Sequence, residues 1–376
     1  MARADAQVAG SAGSAVGARG AAPTYAQVLK TARSVGGSIV RTAQGRDCLD
    51  FCNAEGGVLL GWGHPAVEAA VAAGVSFDAR VEAEAAERVG ALMPSAEAVG
   101  FRASVGAAMA DTLQAAKTIT GRDGAFFCED ETTAAGDVDA VQSALDRHSG
   151  RDAALVIRPM EASRAFLAAA RRLTARDGAL LVLDESRTAF RVHAGGAQAL
   201  HGVIPDITVL GASLANGRPI AAIAGRVEPM RAAPGAGRRI AGPALAAVCA
   251  TLSRVERDDV PDALRLRGAE IEAEVDSCLR RSGADVWLGV YGDPTWSLLS
   301  AHPDEAVDAD RMEGALAGAL LDQGILSFGA HVPSLATSDH AVARLIEAYD
   351  AVLPRLVDRA HRGEFQVRLR RSALAR

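Results

Sequence analysis

Residues 179–225 read ALLVLDESRTAFRVHAGGAQALHGVIPDITVLGASLANGRPIAAIAG. Three short apolar runs stand out, at 179–183, 207–210 and 220–224. Each is bounded by Gly, Pro or Asp, as expected of strands buried on both faces of a parallel sheet. The first ends on Asp184 and Glu185. The carboxyl end of such a strand is where open α/β sheets bind their ligands.

Outward from this stretch, the chain alternates. Short apolar strands are expected at 99–102, 125–128 and 153–157, with helices at 80–92, 104–120, 137–147, 164–176 and 242–255. That alternation predicts a mostly parallel sheet covered on both faces. After about residue 258 the pattern changes to helices at 261–281, 309–323 and 339–353, with short strands near Trp287 and Trp296. The expected organisation is a leader at 1–22, an N-terminal segment at 23–60 packing on a small domain, and a large domain at 61–257. A small α+β domain at 258–360 and a basic tail at 361–376 complete it.

The same stretch resembles the class III aminotransferases, which are fold-type I pyridoxal phosphate enzymes, and within them the aminomutases. The motif D-E-V-x-T-G-F-R is matched by Asp184 to Arg191, G-V-x-P-D by Gly202 to Asp206, and L-G-K-x-x-G-G-G-x-P by Leu210 to Pro219. Further matches are Gly45 to Phe51, Gly61 to Pro65 and Thr120 to Asp123, so the resemblance spans about 27–357. It implies an α/β, fold-type I aminotransferase-like architecture and a homodimer. It also places the family's Schiff-base lysine on Ala212, which has no amine to form an imine.

Other cofactor contacts are altered too. The phosphate cup S-G-T-E-A falls on Ser104 to Ala108, keeping one serine at a helix N-terminus, where anions bind. The ring-stacking motif falls on Cys128 to Ala134 and puts Thr132 and Thr133 where an aromatic ring and a histidine are expected, beside Glu129, Asp130 and Glu131. V-E-P becomes Ile157-Arg158-Pro159, and Glu55 stands in place of a tryptophan. The expectation is therefore that pyridoxal phosphate is not used and that no cofactor is bound. Asp184, Glu129, Glu131 and Arg158 are the candidate catalytic groups, because carboxylates and guanidinium groups in one crevice tune each other for acid–base work. Glu55, Ser104, Glu185, Arg187 and Ser213 are the candidate substrate contacts.

Composition narrows the partners. Forty basic against 46 acidic residues give a net charge of −6, which argues against nucleic acid or an anionic membrane. No run is long enough to span a membrane. Five scattered cysteines fit neither a disulfide framework nor a zinc site and suit a reducing cytoplasm. The expected function is cofactor-independent cyclisation, isomerisation, dehydration or condensation of a small-molecule substrate. The alternative is a catalytically silent relative that regulates an active aminotransferase as its partner. A surviving pyridoxal phosphate enzyme ranks third.

Overall fold

The computed structural model describes residues 24–74, 79–128, 138–147, 150–160, 162–234, 240–302 and 307–366. The leader at 1–22 and most of the tail at 361–376 lie outside these residues. The chain divides into two compact units. Among the described residues, one holds Asn53–Leu266 with Ser334–Ala336; the other holds 24–52, Arg267–Pro333 and 337–366.

In the first unit, six strands form one sheet in the spatial order Ala98–Arg102, Ala221–Gly225, Ile207–Leu210, Leu180–Glu185, Asp152–Ile157 and Gly124–Cys128. The last four run parallel to one another. Ala221–Gly225 is the exception. It was expected among the parallel strands, yet it pairs antiparallel with both neighbours. The reason is length: residues 211–220 are too few for a parallel crossover, which needs a dozen or more. Ala98–Arg102, antiparallel to that strand, consequently points the same way as the other four.

Alternation along the strands sorts the two faces. Leu180 and Val182 join Ala154, Val156, Ile207 and Val209 beneath Ala108, Ala115 and Ala116 of the helix Val105–Thr120. Leu181 and Leu183 join Leu155 and Ile157 against Phe166 and Leu167 of the helix Arg164–Asp177. Both helices open on a serine cap, Ser104 or Ser163, and close on a left-handed glycine, Gly121 or Gly178. These are the start and stop signals that satisfy helix-end N–H and C=O groups. Among the described residues, no helix is long and apolar enough to cross a membrane.

The second unit carries a four-stranded and a three-stranded sheet. The helices Ala309–Asp322 and Asp339–His361 supply much of its core, through Met312, Leu316, Leu320, Leu345 and Leu353. The second of these was expected to stop at Leu353. It runs on through Pro354, and Leu356 beyond the proline is buried in the same core. His331 is fully buried in this unit, with Nε2 and the Tyr349 hydroxyl 2.8 Å apart.

Burial lowers the pKa of His331 from 6.5 to about 4. The folded state therefore resists a proton that the unfolded chain accepts. Stability is complete above pH 6.5 and falls as the pH drops through the window down to about 4. The loss at the lower end is about 3 kcal/mol. Urea midpoints measured between pH 7.5 and 4 should show this decline, and His331→Gln should flatten it. Parallel profiles for the two proteins would exclude His331 as the source.

Candidate functional site

Five strands of the large sheet share one carboxyl end, and the first candidate residues gather there. Asp184 continues the face of Leu180 and Val182, so it lies on the side of the helix Val105–Thr120. It is 7% exposed. In the parallel register Ile157 pairs with Leu183, which brings Arg158 beside Asp184. Arg158 Nε donates to Asp184 Oδ2 at 3.4 Å, and the Ser186 N–H donates to Oδ1 at 3.1 Å. A buried carboxylate needs such partners to remain ionised.

Ser104 stands at the same end of the sheet, because Ala98–Arg102 runs parallel to the Asp184 strand and delivers the chain straight into its helix. Its hydroxyl accepts from the Ala107 N–H at 3.2 Å. The first N–H groups of the helix have no intrahelical partner and carry its positive dipole end. The join is fastened by Arg102, whose Nε donates to Asp111 Oδ2 at 2.5 Å in the interior. An anion can be held at this end.

Glu185 does not join this group. As the next residue on the strand it points to the opposite face, where it is wholly buried. Its carboxylate accepts from the backbone N–H groups of Ala197 and Gln198, the Gln198 amide and the Thr188 hydroxyl. Gln198 also reaches Thr208 and Ser95. Burial pushes the Glu185 pKa up, while these donors oppose that rise. The expectation that it contacts substrate is corrected: it caps the start of the helix Gly196–His201.

Ala212 begins a short 3-10 turn, Ala212–Ala215. Ser213, expected to face substrate, is buried and its hydroxyl donates to the Ala189 carbonyl at 3.4 Å. Above the turn lies an unusual segment. Asn53, Ala54 and Glu55 have φ of 44°, 53° and 50°, three successive non-glycine residues in the left-handed region. Each costs about 1–2 kcal/mol. A Cβ built on Gly57 would come within 3.2 Å of the Ala212 Cβ, so this segment rests on that methyl.

Two side chains that sequence reasoning assigned no role hold the segment. Arg191, fully buried, donates from Nη2 to the carbonyls of Gly56 and Val58 at 3.1 and 3.3 Å. Asn216 Oδ1 accepts from the N–H groups of Leu59 and Leu60, and its Nδ2 donates to the Gly61 carbonyl. Both lie within the matched stretches, Asp184 to Arg191 and Leu210 to Pro219, but nothing in those motifs pointed to these backbone contacts. Glu55 is thereby presented outward and meets Arg187 Nη2 at 3.7 Å, both half-exposed. Glu129 and Glu131, with Asp130, Thr132 and Thr133, lie outside the described residues.

A pyridine ring with a phosphate arm finds two of its needs here: the charged pair Asp184–Arg158 and the amino end of the helix Val105–Thr120. The third, an amine, is absent at Ala212. The described residues offer a carboxylate–guanidinium pair that a ring nitrogen could meet and a helix amino end that a phosphate could meet, but no amine for a covalent link.

Comparison with known proteins bears directly on this geometry. The model of a family described as Aminotransferase class-III matches residues 154–353. Glutamate-1-semialdehyde 2,1-aminomutase of Roseiflexus castenholzii is 30% identical over 87% of this chain and 90% of its own. That of Laribacter hongkongensis is 29% identical, over 85% and 92%. Of solved structures, the pyridoxal phosphate internal aldimine form of Sphingopyxis sp. MTA144 FumI superposes with a TM-score of 0.79 at 22% identity, over 88% of this chain and 90% of its own. A lysine-to-alanine variant of the Pseudomonas aeruginosa aminomutase in complex with PMP gives 0.73 at 20%, over 87% of each.

The expectation of cofactor-independent chemistry, with no cofactor bound, does not stand against these findings. Nor does the reading as a catalytically silent relative. The matched family and the relatives along most of the chain are aminotransferases and aminomutases, and a neighbour lacking a lysine is described with PMP. The altered positions, Ala212 among them, remove the covalent bond and some contacts, but they leave a helix amino end and a buried carboxylate in place.

The Glu185 cap is open to test. Gly196 has φ of +71°, and a methyl built on it would fall inside the Glu185 carboxylate. Gly196→Ala should therefore lower stability by about 3 kcal/mol or more, combining left-handed strain with disruption of a buried charge. A urea-midpoint loss worth under about 1 kcal/mol would mean that the carboxylate rearranges freely.

Proposed function

This chain belongs to the class-III aminotransferase family, a family of enzymes, and from that premise we propose that it is a vitamin B6-phosphate enzyme that holds its cofactor without a covalent bond. The observation that carries this reading is that Asp184 and the Ser104-capped helix end are kept, with Arg158 set against Asp184, while Ala212 stands in place of the lysine. The amine form, pyridoxamine 5′-phosphate, suits such a site because it needs no protein amine. The substrate class is a small amino or keto acid, as suits relatives named as aminomutases.

When bound, the cofactor supplies an electron sink for bonds at an amine-bearing carbon. The chain's own residues do the rest. The N–H groups that open the helix Val105–Thr120 bind the phosphate arm, with the Ser104 cap keeping that turn wound. Asp184 and Arg158 mark where the ring nitrogen docks. Arg187 and Glu55 form a loose, half-exposed pair, of a kind that contributes about 0–1 kcal/mol. Its two groups carry the charges that would meet the carboxylate and ammonium groups of an amino acid. Ser213 is turned inward to a carbonyl and moves no proton in the site.

Calorimetric titration with pyridoxamine 5′-phosphate tests this reading. Ser104→Asp keeps a good helix cap but sets a negative charge against the phosphate, and should weaken binding about tenfold or more. Borohydride should fix pyridoxal phosphate to the Ala212→Lys protein and not to the natural one. Failure of either vitamer to bind at millimolar concentration, or indifference of binding to Ser104→Asp, would sink the proposal.

A further inference from the structure

The carboxylate placed to meet a ring nitrogen is already engaged. Ile157 lies opposite Leu183 across the parallel pair, and Arg158 follows on the face shared by Val156, Val182 and Asp184. Its Nε donates to Asp184 Oδ2, while the Ser186 N–H takes Oδ1. The Arg158 side chain is 37% exposed although its partner carboxylate is buried. The guanidinium is thus anchored through Nε, while more than a third of the Arg158 side-chain surface stays open.

That asymmetry has an electrostatic consequence. An unpaired aspartate beside a pyridine nitrogen favours the protonated ring, because an opposite charge stabilises the cation. An aspartate neutralised by a guanidinium does not. A second positive charge about 5–6 Å from the ring nitrogen, at an effective dielectric of about 20, disfavours its protonation by about two pKa units. A guanidinium has five N–H donors and no acceptor. With Nε spent on Asp184, the remaining donors suit a neutral ring nitrogen, which accepts a hydrogen bond, and oppose a pyridinium, which can only donate one.

We propose that Arg158 sets the charge form of the ring this site accepts: anchored by Asp184, it donates to a pyridine nitrogen that stays unprotonated. This inference rests on the vitamin B6-phosphate reading above and adds a residue-level specificity to it. The ligand class is a phosphate-bearing neutral pyridine. Asp184 acts through Arg158, as a positioning residue, and not on the ring directly.

The test uses pyridoxamine 5′-phosphate labelled with 15N in the ring, bound to the natural protein and read by NMR at pH 7.5. The expected shift is that of an unprotonated pyridine. In Arg158→Gln the bare Asp184 carboxylate remains, so the shift should move to the pyridinium range. The apparent ring pKa of the bound ligand should rise by about two units. Arg158→Lys, which retains a cation, should stay near the natural value. A pyridinium signal in the natural protein overturns the proposal while leaving the cofactor reading intact, and so does an unchanged shift in a folded Arg158→Gln. Absence of binding to the natural protein overturns both. If Arg158→Gln does not fold, the natural protein's own shift decides the matter.

Discussion

A strand buried on both faces must dispose of two adjacent carboxylates where it ends, and much of the large unit is arranged around that constraint. Asp184 and Glu185 are neighbours in sequence but face opposite sides of the sheet. On one side the cost of a buried charge is offset by a guanidinium from the next strand and a backbone N–H. On the other it is offset by four donors drawn from a helix start and its surroundings. Removing either set would leave an ion stranded in the interior, at a cost of several kcal/mol. The two solutions differ in kind. The Glu185 side is sealed and serves the fold, whereas the Asp184 side keeps a partly exposed partner and an outlet to the carboxyl end of the sheet.

Loss of a covalent tether changes what the remaining contacts must supply. Where a lysine bonds to a cofactor, ring and phosphate interactions mainly orient it. Without that bond they carry all of the affinity, and every factor of ten needs about 1.4 kcal/mol. A helix amino terminus and a guanidinium–carboxylate pair can each contribute on that scale, since charge-assisted hydrogen bonds are about twice as strong as neutral ones. On the proposed reading, the site of this chain works as a binding site of ordinary design and not as a damaged covalent one.

The elements were legible where period and length spoke together. All six strands of the large sheet and the longer helices beside them were readable from short apolar runs and serine or glycine punctuation, whereas the short helix Gly196–His201 was not. The direction of Ala221–Gly225 was not, because apolar composition reports burial and not polarity. It followed instead from the shortness of the connection. Motif register placed Asp184 and Arg158 at one strand end, and a contact of 3.4 Å joins them. The role of Glu185 was not legible from its place beside Asp184, because successive strand residues face opposite sides of the sheet. The roles of Arg191 and Asn216 were hidden for a different reason: both act on backbone groups, which no side-chain pattern reveals.

The left-handed run at Asn53, Ala54 and Glu55 restricts the alphabet of its own sequence. In that region of backbone space a branched β-carbon collides with the following carbonyl, so Val, Ile and Thr are shut out at three successive positions. Asparagine, aspartate, glycine and small or unbranched residues remain. Because the segment lies over Ala212 and leaves Glu55 exposed, its drift is steered by backbone sterics before any demand of chemistry applies. A chain keeping this turn can change what position 55 presents, in charge or size, but only by exchanging one unbranched side chain for another.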